Sequence, residues 1–167
     1  VQSVRALVES KKGILLNISL GDEPTRERVT LGPRGDVKTN PLVVPWALPD
    51  ACAHTCEIIH VLEYLPSLHF FGWFDELWRV MRPDGKVYIR GPYGGDESHG
   101  WLSDPTHQTR IIEATFLWLD PRGPLYNLHP QVGRKIPKPW HPLFIERVPG
   151  SQGSLSYNAT LKKVVLK

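Results

Sequence analysis

The sequence predicts an α/β domain with a mostly parallel sheet closed by a C-terminal antiparallel pair of strands. Three observations predict it. Ile14–Ile18 and Ala53–Val61 are compact apolar runs of strand length, each ended by turn residues. Leu68–Met81 has a helical period, with apolar residues at 70, 71, 74, 77, 78 and 81; Arg82-Pro83-Asp84-Gly85 stops it and the strand Lys86–Ile89 follows. Leu143–Val148 and Ala159–Leu166 then read as two strands around the turn residues Gly150–Gly153. Strands alternating with helices and ending in a β-pair make a mixed sheet with helical cover.

The remaining elements follow in order. Val4, Leu7 and Val8 have helical spacing, so a short helix is expected over residues 2–10, ended by Lys11-Lys12-Gly13. After the first strand, residues 21–27 are polar and contain Pro24, which leaves little room for a helix before the extended piece Arg28–Leu31. Gly32-Pro33-Arg34-Gly35 is a turn. Asp36–Val44 reads as a further extended segment, interrupted by Pro41 and ended by Pro45. Gly91-Pro92-Tyr93-Gly94-Gly95 closes the strand after the long helix, 96–109 is a polar loop, and Ile111–Leu119 is expected to be helical until Asp120-Pro121.

Composition narrows the function classes. The chain has 167 residues, enough to bury a core as a single domain spanning 1–167, with 41% hydrophobic and 22% charged residues. A formal charge of +3 is too weak to suggest a nucleic-acid binder without a concentrated patch, and Arg134-Lys135-Ile136-Pro137-Lys138 reads as a solvated, proline-broken loop. No apolar run is long enough for a membrane-spanning helix, and Val1–Lys12 lacks a signal-peptide pattern. Cys52 and Cys56, on an extended segment, lie beyond disulfide reach. A reduced, cytoplasmic setting is the expectation. Cys52-x-His54-x-Cys56 lacks knuckle spacing and a second pair, so no metal site is expected.

The chemistry concentrates at strand ends. His60-Val61-Leu62-Glu63-Tyr64-Leu65-Pro66 closes the strand Ala53–Val61, and in an open α/β sheet such a strand end borders a ligand crevice. Ser103-Asp104-Pro105-Thr106-His107 follows the next strand and should hang over the same crevice. An Asp–His pair can orient and tune an imidazole for general-base work. The alternative is loop architecture, with Asp104 and Thr106 bonding local backbone and His107 packing.

Together these words resemble the Rossmann-like sandwich of the class I S-adenosylmethionine-dependent methyltransferases over residues 13–166, most strongly over 49–107. A compact branch of that family reads strand, Asn-Leu-Gly-Cys-Gly, a second strand ending in an acid, Pro-x-x-Asp, His-Val-Leu-Glu-His, a helix, Arg-Val-Leu-Lys-Pro-Gly-Gly, a strand, and Asp-Pro-Thr-His. The matching stretches here are Leu16-Asn17-Ile18-Ser19-Leu20-Gly21, Pro45-Trp46-Ala47-Leu48-Pro49-Asp50, His60–Tyr64, Arg79–Lys86 and Asp104–His107. The resemblance implies S-adenosylmethionine held by Asn17, Ser19, Gly21, Gly32, Trp46, Ala47, Leu48, Ile58, Ile59 and His60. Its catalytic candidates are His107, Asp104 and His60.

Two departures stand out. Ser19 and Leu20 replace a glycine and a cysteine where the backbone must turn sharply beneath the cofactor. The strand end Val29-Thr30-Leu31-Gly32 lacks the family's ribose-binding acid; Asp36, four residues on, is expected to begin the third strand instead. Losing that charge-assisted contact costs about 1.5–3 kcal/mol, or one to two decades of affinity. Two readings follow: a methyltransferase acting on an unknown acceptor or, alternatively, a non-catalytic methyltransferase-like scaffold or subunit that has lost cofactor binding. Among the six tryptophans, Trp73 and Trp78 belong to the helix period. Trp101 and Trp140 lie in loops and are candidates for a pocket, a protein partner or self-association.

Overall fold

The computed structural model describes residues 15–22, 28–95, 99–150 and 154–165, together with Ala6. Among the described residues, seven strands form one sheet in the order β3-β2-β1-β4-β5-β7-β6. They are β1 (Leu15–Ile18), β2 (Arg28–Gly32), β3 (Val37–Lys38), β4 (Ala53–Ile59), β5 (Met81–Pro92), β6 (Trp140–Pro149) and β7 (Leu155–Lys163). β1 to β5 pair in parallel, and β7 runs antiparallel to both β5 and β6. The mostly parallel sheet with its C-terminal antiparallel pair is the architecture the sequence predicts. The helix expected over 2–10 lies outside the described residues apart from Ala6.

Helix α1 (Phe70–Val80) follows a one-turn 3₁₀ segment, Ser67–His69, and ends where Met81 turns extended. Its buried residues Phe70, Trp73, Phe74, Leu77 and Val80 share one core with Leu16, Ile18, Cys56, Ile58, Val87, Ile89 and Leu161 from the sheet. Burying each such side chain contributes about 1.5–3 kcal/mol. Asp84, with φ of 61°, lies in the bulge between the two pieces of β5: Ala53 pairs Met81, then Thr55 pairs Lys86. The predicted turn at Arg82–Gly85 is this bulge. The same shift breaks strand alternation, leaving His54 exposed beside the buried Cys56.

Three expectations change. The extended segment 36–44 contracts to the two-residue β3, because Pro33–Asp36 already returns the chain alongside the end of β2. The helix expected over 111–119 shortens to α3 (Glu113–Leu117), preceded by the short α2 (His99–Leu102). Ile112 is extended, its amide donating to Thr115 Oγ1, and beyond Leu117 the amides of Leu119 and Asp120 bond three residues back, to Phe116 and Leu117, as tight turns. Finally, Trp140 is fully buried at the start of β6, stacked edge-on against Phe74, so it offers no docking surface. Trp101 is half-buried in α2, its Nε1 donating to the Thr109 carbonyl.

Candidate functional site

The sheet order reverses direction between β1 and β4, and the carboxyl ends of these two strands open a crevice. Its volume is about 390 Å³, and Ser19, Leu20, Gly21, Asp22, Ile59, His60 and Tyr64 line it. Serine chemistry shapes the loop under it. Ser19 Oγ accepts the amides of Gly21 (3.1 Å) and Asp22 (2.9 Å), and buried Asn17 donates through Nδ2 to the Asp22 carboxylate at 3.0 Å. The glycine that is sterically required is Gly32: a Cβ there would collide with the Ser19 carbonyl oxygen. Gly21, by contrast, has open space where its Cβ would be.

The carboxylate missing from the end of β2 has a structural explanation. β3 begins only opposite Leu31, so the edge-facing amide of Thr30 has no strand partner. Asp36 Oδ2 accepts that amide at 2.9 Å. The acid nearest the strand end thus completes the sheet edge instead of turning into the crevice.

A second cavity, about 470 Å³, lies beside the first and shares His60 and Tyr64 with it; Arg90, Pro92, Gly100, Ser103, Asp104, His107, Ser154, Leu155 and Ser156 complete its lining. His60 stands at the junction in a left-handed conformation (φ 53°), its amide bonded to the Arg90 carbonyl. Histidine tolerates this region better than most side chains, yet the conformation is uncommon and clusters at functional sites. Nδ1 of His60 donates to Glu63 Oε1 at 3.0 Å, while the imidazole is 58% exposed and the carboxylate fully buried. That bond fixes the tautomer and leaves Nε2 to exchange a proton.

The Glu63 hydrogen bond holds the His60 pKa above its usual value, against the opposing effects of burial and Arg90. Because the folded-state pKa is raised, the stabilisation is complete below about pH 6.5 and fades as pH rises through the folded-state midpoint. In Glu63→Gln the His60 imidazole should titrate at lower pH than in the wild type, as followed by NMR. An unchanged midpoint would show that the carboxylate does not govern it.

Asp104 and His107 are arranged differently. Asp104 Oδ1 accepts both the amide and the hydroxyl of Thr106 (2.8 and 2.6 Å), and Oδ2 accepts the Tyr64 hydroxyl at 3.1 Å. Thr106 chiefly holds the carboxyl below its usual pKa. His107 Nδ1 donates to the Trp101 carbonyl at 2.8 Å, and Nε2 is 3.7 Å from Asp104, outside hydrogen-bond range. With 7% of its side chain exposed, His107 packs edge-on against Tyr64. The Asp-Pro-Thr-His word therefore builds the loop, and the freer proton acceptor is His60.

The residues expected around the cofactor divide into two groups. Asn17, Ser19, Gly21, Gly32, Ile59 and His60 gather at the carboxyl ends of the strands, with Ile58 beneath them in the core. Trp46, Ala47 and Leu48 do not join them. Arg79, in the last turn of α1 and hence at the opposite rim, donates to the carbonyls of Trp46 (3.1 Å) and Leu48 (2.8 Å). Trp46 is buried edge-on against Trp73, and both indoles donate to the Pro41 carbonyl. In this loop Trp46 and Leu48 are buried in the core, while Ala47 is exposed. Glu63, Tyr64, Arg90 and Asp22 were not among the candidates from sequence. The spacing of Glu63 three residues after His60 is the signal that could have found the first.

No protein-family model and no curated protein matches the chain. Solved structures do. A 16S rRNA (adenine(1408)-N(1))-methyltransferase from Catenulisporales acidiphilia is similar with a TM-score of 0.59 at 14% identity, over 98% of this chain and 91% of that one. An S-adenosylmethionine-dependent methyltransferase from Archaeoglobus fulgidus gives 0.57 at 16% identity, over 96% and 91%. The 1,6-didemethyltoxoflavin-N1-methyltransferase of Burkholderia thailandensis, solved with S-adenosylhomocysteine, gives 0.59 at 12% identity, over 97% and 77%. The chain has the fold of the class I S-adenosylmethionine-dependent methyltransferases.

Proposed function

We propose that this protein is an S-adenosylmethionine-dependent methyltransferase whose cofactor site is weakened at its ribose end. The observation that carries the reading is the junction of two cavities at His60 and Tyr64, one over the β1 loop and the other lined by Pro92 and by Gly100, Ser103, Asp104 and His107. The residues fit the methionine end of the cofactor: Asp22, held by Asn17, offers a carboxylate to an ammonium group, and Ile59 offers an apolar wall. They do not supply a carboxylate for the ribose, since Asp36 is engaged at Thr30. Bound S-adenosylmethionine supplies an activated methyl group on a sulfonium. The chain positions an acceptor in the second cavity, which provides most of the acceleration. His60 Nε2 takes the acceptor's proton, worth about 10²–10⁴ in rate, and buried Glu63 stabilises the imidazolium.

The acceptor we favour is a small molecule. A cavity of about 470 Å³ suits such a ligand, and in the basic loop Arg134 lies over Phe71 and Trp118 and Lys138 over Trp78. No helix among the described residues is long and apolar enough to cross a membrane.

A non-catalytic role is the second reading, favoured by the β2 end without a carboxylate and by Ser19 Oγ, which already takes two loop amides. Thermal unfolding with S-adenosylhomocysteine separates the two. At tenfold excess over Kd, binding adds about 1.4 kcal/mol and should raise Tm by about 3–6 °C. An unchanged Tm at millimolar ligand would favour the non-catalytic reading.

A further inference from the structure

Arg90 is the unpaired charge of this region. It lies on β5 between Ile59 of β4 and Asn158 of β7, and it lines the second cavity. Among the described residues, the neighbouring acids are engaged elsewhere. Glu57 pairs with Arg28 at 3.1 Å, Glu146 accepts from Asn158 at 3.2 Å, Glu63 holds His60, and both Asp104 oxygens are taken by Thr106 and Tyr64. Among the described residues the Arg90 guanidinium has neither an ion-pair partner nor a hydrogen bond. A guanidinium presents its donors in a planar fork that matches a carboxylate bidentately.

We propose that the second cavity binds a small carboxylate-bearing molecule, its carboxylate forked by Arg90 and its remaining polar groups facing His60, Ser103 and Ser156. Calling this molecule the methyl acceptor rests on the proposed function; the carboxylate site itself does not. One guanidinium beside the exposed His60 imidazole, the His107 ring being buried and held by the Trp101 carbonyl, suits a monoanion. Among the described residues, no lysine or second arginine lines the cavity to balance a phosphate dianion. The volume, about 470 Å³, is that of a small-molecule site. The hydroxyls of Ser103 and Ser156 can orient the polar remainder of such a ligand. The imidazole at the junction lies where a nucleophile on that ligand would meet the first cavity.

The test uses benzoate, the isosteric neutral benzamide, and inorganic phosphate, titrated at constant ionic strength without S-adenosylmethionine and followed by NMR shifts of the His60 imidazole. Benzoate should bind about tenfold to a hundredfold more tightly than benzamide. Arg90→Gln should reduce benzoate to the benzamide level without changing benzamide, and Arg90→Lys should retain part of the preference. Equal affinities for benzoate and benzamide, tighter binding of phosphate, or the absence of any saturable shift with benzoate would overturn the proposal. If Arg90→Gln does not fold, the wild-type comparison and Arg90→Lys decide. A carboxylate preference in a protein whose Tm ignores S-adenosylhomocysteine would uphold this site and defeat the methyltransferase reading. The reverse pattern would do the opposite.

Discussion

Trp73→Ala is expected to destabilise the fold by about 3–5 kcal/mol, seen in urea unfolding as a lower midpoint at unchanged slope. The indole is fully buried, stands edge-on to Trp46 and Phe74, and donates through Nε1 to the Pro41 carbonyl at 2.8 Å. Alanine leaves a large void between α1 and the 41–48 loop, which the Pro41 carbonyl and the Trp46 ring cannot fill without moving the loop. Against a typical total of about 5–15 kcal/mol, that loss is a large fraction of the whole. A cost under about 1 kcal/mol would mean that the loop does not pack as described.

Arg79→Met should cost about as much, roughly 3–5 kcal/mol, for a different reason. Arg79 donates to Glu76 through Nε and Nη2 (2.9 and 2.6 Å), to Asp50, and to the carbonyls of Trp46 and Leu48. Glu76 is nearly buried and also accepts the Trp46 amide at 2.7 Å. Methionine keeps the stem but leaves that carboxylate without its cation. The double variant Arg79→Met with Glu76→Leu should recover part of the loss, because the stranded charge is then gone. If the double variant is as unstable as the sum of the singles, the carbonyl contacts of Arg79 carry the effect instead.

These two side chains also show where the sequence stopped being legible. From Ala53 to Arg90 the order strand, turn, helix, turn and strand was legible, with Pro66 before the helix and Pro83-Asp84-Gly85 after it as local signals; the bounds moved, β4 ending at Ile59 rather than Val61 and β5 running over Met81–Pro92 rather than Lys86–Ile89. The β6–β7 pair was equally plain from its turn residues. A connection such as 39–52 was not, because it crosses the molecule from one rim of the sheet to the other, and only packing against Trp73 and Arg79 shows where Trp46 lies. Asp36 was hidden in the same way. Nothing local says that a four-residue return would leave the Thr30 amide unpaired and draw the carboxylate to it.

The candidate site was half legible for related reasons. His60 follows from its strand-end position. Its superiority over His107 depends on which nitrogen is occupied: Glu63 takes Nδ1 of an exposed ring, whereas the Trp101 carbonyl takes Nδ1 of a buried one. No local signal marks Arg90, since its lack of a partner among the described residues depends on ion pairs and hydrogen bonds made by residues distant in sequence.

The most direct test of the account is calorimetric titration of the folded protein with S-adenosylhomocysteine, repeated on Gly21→Trp. The space where the Gly21 Cβ would sit is open, so the indole should enter the crevice without disturbing the core. The account predicts saturable binding, weakened by about one to two decades relative to a site with a ribose carboxylate. It also predicts loss of that binding in Gly21→Trp at unchanged unfolding midpoint. No heat at millimolar ligand, or binding that Gly21→Trp leaves intact, would contradict a cofactor crevice over the β1 loop.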